Sequence, residues 1–383
     1  MGKKIAIFMG AGASKPFGIP LTREILPVIL DSIAQGNLFA ENPHSDFPPA
    51  VRREMEEDLL YFLYSLMPGL QNRWQEYENA AAEKKKEIQF PLITEILSLV
   101  DHLNVNNNVP FPVKDFRVQR ENSYSAKDLN YYRRLLDRAI YETLKDQPYY
   151  TAEEKSKLDR FVGFVTQQIS AANKTALITT NYDTKVEMEI YRQNIKDPRN
   201  VDFGFSWRHA EEDTGEVIYP TKETYLQILK LHGSLNWLKC DLCDHVYINP
   251  SGNIIHQSFR NETDTLNSCH CGNGPLKSLI VAPSFERDVR DSNLLHIWKS
   301  ALEAIRNADR LIIIGYSLPP EDIAIKSLLV RAKNSSGKTL PKNDVIVVQH
   351  GESAKAQYEL LFGKDRFTYL SGGLEQFLSS GLS

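Results

Sequence analysis

No apolar run in this chain approaches the ~18 residues that a membrane-crossing helix needs, so no membrane association is expected. A dominant charge is also lacking: 45 Lys and Arg stand against 49 Asp and Glu, for a net charge of −4. Without a strong positive field, direct nucleic-acid binding is not expected as the main activity. Cysteine is scarce, with four in 383 residues, and all four fall in one segment as two close pairs. The first residues run directly into an apolar stretch, without the charged, apolar and cleavage regions of a signal peptide, so a cytoplasmic location is expected. In that setting paired cysteines point to metal ligation before disulfides. Internal repeats and low-complexity tracts are absent as well. What remains is a globular chain too long for one ordinary core, hence two domains or one large domain with insertions.

The most informative stretch is Lys3-Lys4-Ile5-Ala6-Ile7-Phe8-Met9-Gly10-Ala11-Gly12-Ala13-Ser14, closing with Gly18-Ile19-Pro20. Ile5 to Met9 reads as a buried strand. Gly10 and Gly12 then let the backbone turn tightly with no Cβ in the way. Such a turn ahead of a helix presents main-chain amides to phosphate oxygens, or is simply a tight strand-to-helix turn. The usual dinucleotide fingerprint is not met, because its third glycine falls on Lys15.

Thr22 to Gln35 has helical spacing. Val51 to Met67, Leu70 to Leu103, Asp128 to Leu144 and Glu153 to Ala172 repeat it, with a loop expected at Val105 to Val113. The polar run Glu76 to Lys86 reads as a solvated helix face. Strand candidates are Thr175 to Thr179, Tyr225 to Leu231, Leu279 to Ala282, Arg310 to Ile314 and Asp344 to Val348. Most are short, apolar and followed by helical stretches, which predicts a doubly wound α/β fold with a parallel sheet. The expected division is 1–36 with 161–238 and 278–383 as the core, 37–160 as a helical insertion, and 239–277 as a cysteine-bearing module.

Four polar motifs fall where strands end, the place where ligands bind in open α/β sheets. They are the Gly-rich turn with Ser14, then Thr179-Thr180-Asn181-Tyr182-Asp183, then His232-Gly233-Ser234, then Gly315-Tyr316-Ser317-Leu318-Pro319-Pro320. Singly each has a bland account. Asn181 and Asp183 could cap the next helix, His232 could be a satisfied structural histidine, and Ser317 could be an N-cap. Jointly they form a crevice suited to cleaving a glycosidic bond to a cationic leaving group. That reaction needs little acid catalysis, but it needs a positioned acceptor and a base. Cys240-x-x-Cys243 and Cys269-x-Cys271, 25 residues apart, fit a tetrahedral structural zinc site. His245, His256 or His270 could replace one thiolate, and four thiols without metal remain an alternative.

Taken in order, these motifs resemble the sirtuin superfamily. Gly10-Ala11-Gly12-Ala13-Ser14 with Gly18-Ile19-Pro20 is similar to its first NAD-binding motif, and Thr180-Asn181-Tyr182-Asp183 to its Gln-Asn-Ile-Asp motif. His232-Gly233 resembles its catalytic His-Gly, Gly315-Tyr316-Ser317 its Gly-Thr-Ser, and the four cysteines its zinc ribbon. The resemblance implies a Rossmann-like NAD-binding core with a helical insertion and a zinc-ribbon module. By the same resemblance Asn181 would position water and ribose, His232 would act as general base, and Asp183 would contact the nicotinamide amide. Gly10, Ala11, Gly12, Ala13 and Ser14 would hold the pyrophosphate, with Thr180 beside the cofactor. Gly315 and Ser317 would hold phosphate or ribose hydroxyls, and Gln349 would lie near the adenosine end. Leu21-Thr22-Arg23 stands where protein deacylases have Asp-Phe-Arg, and Val281-Ala282-Pro283-Ser284 stands where they bind acyl peptide. These departures resemble the bacterial defence branch, which hydrolyses NAD+ during phage infection, in homo-oligomers or with a HerA-like ATPase partner. Two other readings stand beside it: an NAD-dependent protein deacylase, and a non-catalytic sensor of NAD or ADP-ribose.

Overall fold

The computed structural model describes residues 2–39, 47–105, 111–115, 120–145, 151–170, 173–194, 200–210, 215–219, 224–250, 252, 269–272, 276–282, 291–319, 322–335 and 344–381. Its strands, in chain order, are β1 (Lys4–Met9), β2 (Phe111–Asp115), β3 (Arg120–Tyr124), β4 (Lys174–Thr179), β5 (Val201–Asp202), β6 (Trp207–His209) and β7 (Val217–Ile218). There follow β8 (Leu226–Lys230), β9 (Gly233–Cys240), β10 (Val246–Ile248), β11 (Leu276–Ile280), β12 (Arg310–Ile314), β13 (Val345–Val348) and β14 (Thr368–Leu370). The chain divides into two compact units, one of Met1–Leu21 with Asp146–Ser258 and Glu262–Ser383, the other formed by Thr22–Lys145.

The first unit is built on a seven-stranded sheet of order β14-β13-β12-β1-β4-β8-β5. Every pairing in it is parallel, with Ile7 opposite both Ile312 and Leu177. After Lys4 every residue of β1 is buried, as is every residue of β13, so both faces of the sheet are covered. This explains the continuous Ile, Val and Leu of these strands, because a sheet covered on both sides has no polar face to alternate with. Helices Ser292–Asn307 and Ala152–Ser170 supply part of the cover, the first on β1, β4 and β8 and the second on β4. Each fully buried aliphatic side chain contributes roughly 1.5–3 kcal/mol, and Ile7, Ile312, Ile313 and Ile346 are all at 0% exposure.

From β1 the chain builds outward through β4 to β8 and β5, then crosses to the other side of β1 with β12, β13 and β14. The order therefore reverses between β1 and β12. The crevice at such a reversal, beyond the carboxyl ends of the strands, is where open α/β sheets bind ligands.

A second sheet of order β11-β9-β10-β6-β7 grows from the same unit. Leu276–Ile280 belongs here, antiparallel to β9, and not to the parallel core where the sequence placed the Leu279 stretch. Its interior is aromatic: Phe203 meets Trp207 edge-on at 5.4 Å and Phe205 meets Trp237 at 5.1 Å.

The unit Thr22–Lys145 has its own core. Phe62 stacks on Tyr132 at 4.1 Å, and Trp74 on Tyr77 at 5.2 Å. Arg133 pairs with both Asp101 and Asp137, and the buried Glu56 accepts the Phe39 amide at 3.0 Å. Ser125 and Asp128 form a reciprocal capping box at the start of helix Ala126–Leu144. Of the loop expected at Val105 to Val113, residues 106–110 lie outside the described ones, and Phe111 to Val113 begin a β2–β3 hairpin. Among the described residues no helix is long and apolar enough to cross a membrane.

The two sides of the reversal touch through glycine. Gly315 has φ +61°, and a Cβ there would stand 2.1 Å from the Ala13 nitrogen. Gly315→Ala is therefore expected to destabilise the protein by more than about 2 kcal/mol in thermal or urea unfolding. Gly351→Ala, at φ +89° in open space, should lose only the ~1–2 kcal/mol of the left-handed backbone. Equal losses at the two positions would show that the close approach contributes nothing.

Candidate functional site

Five strand ends converge on the crevice. β1 runs into Gly10, β4 into Thr180, β8 into Leu231-His232, β12 into Gly315 and β13 into Gln349. The Gly10 amide donates to the Ile314 carbonyl at 3.0 Å, and the Gly12 amide to the Gly315 carbonyl at 2.9 Å. The Ala13 amide donates to the Gly10 carbonyl at 2.9 Å. These three amides are engaged within the protein, so what Gly10 and Gly12 supply is close main-chain approach and not anion donors. A Cβ on Gly10 would lie 2.7 Å from the Gly315 oxygen, and one on Gly12 would lie 2.9 Å from it.

Asn181 reaches back to this turn. Its Nδ2 donates to the Gly10 carbonyl at 2.9 Å and to Ser14 Oγ at 3.0 Å, and Ser14 is itself buried. The Asn181 amide donates to Thr179 Oγ1 at 3.0 Å, which fixes the side chain's base. The orientation of the carboxamide is thus set by two contacts with the turn after β1, and its main chain by a third with β4.

His232 lies on the other side of the same segment, its Nδ1 3.3 Å from the Thr180 carbonyl. A carbonyl can only accept, so Nδ1 carries the proton and Nε2 is the basic nitrogen. The ring sits between Tyr182 and Trp298, at centroid distances of 6.5 and 6.4 Å, and His232 is 6% exposed. His232 is thus a packed imidazole and not an open surface one. Gly233 follows at φ +80°, where a Cβ would stand 1.9 Å from the Leu279 carbonyl. Gly233 is thereby required by the β9–β11 approach, whatever the chemistry of His232.

The remaining predicted residues divide. Asp183 is buried and its carboxylate accepts the Lys185 amide at 3.3 Å, the local cap that Asp after a strand commonly makes. Gln349 Nε2 donates to the Tyr316 carbonyl, which also accepts the Tyr358 hydroxyl, so this amide serves the Gly315-Tyr316 turn. Ser317 is exposed beside Leu318, whose φ of +54° marks a turn held against its preference.

Several residues escaped sequence reasoning. Lys230, at 0% exposure, donates to the Asp183 carbonyl and pairs with Glu187 at 3.0 Å. Burial pushes the Glu187 carboxyl above its ordinary value, against the Lys230 ammonium. Trp298 Nε1 donates to the Leu231 carbonyl at 3.0 Å, beside His232. The available signal was a lysine closing the mainly apolar β8 two residues before a histidine.

The four cysteines converge as the spacing suggested. Their Sγ atoms lie within 4.8 Å of one another, with Cys240 to Cys271 at 3.8 Å and Cys243 to Cys269 at 3.3 Å. A tetrahedral zinc with bonds of about 2.3 Å requires sulfurs about 3.8 Å apart, so the donor set fits that ion. None of the four is in a disulfide. His270 turns its Nδ1 to the Tyr247 hydroxyl at 2.9 Å, and His256 lies outside the described residues. Burial opposes ionisation of Cys269. The Cys271 amide, the Tyr247 hydroxyl and the neighbouring thiols outweigh it and bring the thiol down to about 7. Cys243 goes the other way, pushed up to about 12 by burial and the adjoining thiols. A cation would reverse that, since the thiolate is the ligand.

A SIR2-like domain family model matches residues 175–370. Among solved structures, a Sir2 homologue in complex with NAD aligns at 14% identity and a TM-score of 0.37, covering 100% of this chain and 91% of that one. A Sir2 complex with an inhibitor, 2′-O-acetyl-ADP-ribose and a deacetylated peptide aligns at 12% identity and a TM-score of 0.36, covering 99% and 94%. No curated protein matches the chain.

The purified protein is expected to carry about one zinc per chain by metal analysis, held by the four thiolates. Cys240→Ser should lose the metal and at least about 3 kcal/mol of unfolding free energy. A metal-free protein whose stability Cys240→Ser leaves unchanged would show that the thiols hold no ion.

Proposed function

The chain belongs to the SIR2-like domain family, and from that premise we propose that it hydrolyses NAD+ to nicotinamide and ADP-ribose. The observation that carries this reading is the junction of two strand ends around one short segment. Asn181 is pinned to the Gly10 turn, and His232 is oriented by the carbonyl of the neighbouring Thr180. A carboxamide and an imidazole held by adjacent residues provide an orienting group and a base on the two sides of one short segment.

The chemistry suits that pair. Nicotinamide leaves the sugar as a neutral base from a cationic ring, so bond breaking needs no strong acid. Positive charge develops at the ribose carbon, and water must arrive from the opposite face and lose a proton. In this reading the Asn181 carboxamide oxygen orients water and ribose, and His232 Nε2 takes the proton. The Gly10–Ser14 turn and the Gly315-Tyr316-Ser317 turn lie along the pyrophosphate and ribose. Asp183 and Thr180 border the nicotinamide end, while Gln349 lies toward the adenosine end and acts through the Tyr316 turn. Zinc at Cys240, Cys243, Cys269 and Cys271 is structural, since four thiolates leave no position for water.

What supports hydrolysis over acyl transfer is sequence: Leu21-Thr22-Arg23 and Val281-Ala282-Pro283-Ser284 depart from the deacylase pattern. On the same resemblance we assign the activity to bacterial anti-phage defence, where cytoplasmic NAD+ is depleted by a homo-oligomer or with a HerA-like ATPase.

Wild-type protein, alone and with such a partner, is expected to release nicotinamide and ADP-ribose from NAD+ without acyl peptide. Asn181→Ala and His232→Ala, confirmed folded by circular dichroism, should each lower kcat by at least about 100-fold. His232→Ala also removes a packed ring, so His232→Asn serves as its better-filled counterpart. Turnover that requires acetyl-peptide would replace hydrolysis by deacylation. Tight binding of intact NAD+ in every assembly would replace it by sensing.

A further inference from the structure

Beneath the candidate site lies a set of charged and polar side chains that the proposed chemistry does not use. Lys230 is wholly enclosed, and its Nζ reaches three oxygens: the Asp183 carbonyl, Glu187 Oε1 at 3.2 Å and Glu187 Oε2 at 3.0 Å. Ser234, also at 0% exposure, hydrogen-bonds Asn236 Oδ1 at 2.6 Å. Asn236 Nδ2 in turn donates to the Asn249 carbonyl at 3.0 Å. Two charges are thus taken out of water on β8 and on the first turn of helix Lys185–Asn194.

Burial of an ion pair is weak evidence for stability, because desolvation offsets the attraction and an apolar pair of similar volume commonly does as well. What an apolar pair cannot do is donate a hydrogen bond to a buried carbonyl. Asp183 closes the four-residue segment whose second residue is Asn181 and whose first offers its carbonyl to His232. Lys230 is also two residues before His232 in the chain, and the intervening Leu231 amide donates to Thr179 at 2.9 Å. One ammonium therefore stands under both halves of the site.

We propose that Lys230 is a positioning residue: neutralised by Glu187, its ammonium holds the Asp183 carbonyl and so sets the Thr180–Asp183 segment at the distance from His232 that turnover requires. The kinetic part of this inference rests on the NAD+ hydrolysis reading, and the structural part does not.

The test replaces both charges together, as Lys230→Met/Glu187→Leu, and measures thermal stability, NAD+ kinetics and amide hydrogen exchange. The double variant is expected to melt within about 5 °C of the wild type, since a neutral pair fills the same space. Its kcat should fall at least about tenfold while KM changes less than about threefold, the pattern of a lost transition-state arrangement. Amides 180–184 should exchange about tenfold faster, with β1 and β12 unchanged. Wild-type kcat and wild-type exchange in the folded double variant would overturn the proposal, because the pair would then be structural filling. Faster exchange at 180–184 with a wild type that leaves NAD+ intact would uphold the positioning and overturn hydrolysis. Should the double variant fail to fold, Lys230→Met alone carries the same readouts, its Glu187 carboxyl taking up a proton in the buried site.

Discussion

Main-chain contact between the turn after β1 and the turn after β12 governs how the rest of the first unit is arranged. Gly12 and Gly315 lie against each other with no room for a Cβ on either, and the Gly12 amide closes the approach on the Gly315 carbonyl. Because these turns sit where the strand order reverses, the contact also fixes the floor of the crevice. Asn181 is then hung from that floor by the Gly10 carbonyl and Ser14, and His232 is referred to Asn181 through Thr180. A small change at the glycine contact is therefore passed to the carboxamide and imidazole without any intermediate that could absorb it.

The polar groups of the site are distributed by depth. Asn181 is half-buried and borders the crevice, His232 is packed between two aromatic rings, and Lys230 and Glu187 lie wholly inside. Each layer orients the one above it, as second-sphere groups do around catalytic side chains. The tautomer of His232 follows from the Thr180 carbonyl, and the position of that carbonyl follows from the segment that Lys230 closes.

Much of this was legible in the residues. The strands β1, β4, β8, β12 and β13 declare themselves as apolar runs, because a sheet covered on both faces removes the need for polar alternation. The motifs at their ends could be named for the same reason: polar residues directly after such runs stand out. The cysteine cluster was readable from its spacing alone. Less was visible in β9, where Ser234, Asn236 and Lys239 break the apolar pattern although Ser234 and Asn236 are fully buried. Their burial rests on hydrogen bonds to one another and to Asn249, a tertiary fact with no local signature. The two residues of β5 and three of β14 are too short to show a period. Gln349 looked like a ligand contact because it follows a strand, but its amide is taken by the Tyr316 carbonyl.

β9 starts at Gly233, the residue after the imidazole, and ends at Cys240, the first thiol of the cluster. At ~3.3 Å per residue the strand itself spans about 23 Å, one continuous piece of backbone between the residue after the imidazole and the thiol. Lys239, beside Cys240, grips Asp291, which caps the helix packed on β1, β4 and β8. The cysteine knuckle and the imidazole are thus the two ends of one strut, so the crevice and the thiol cluster share a single length of backbone and neither can be repositioned along the sheet without the other.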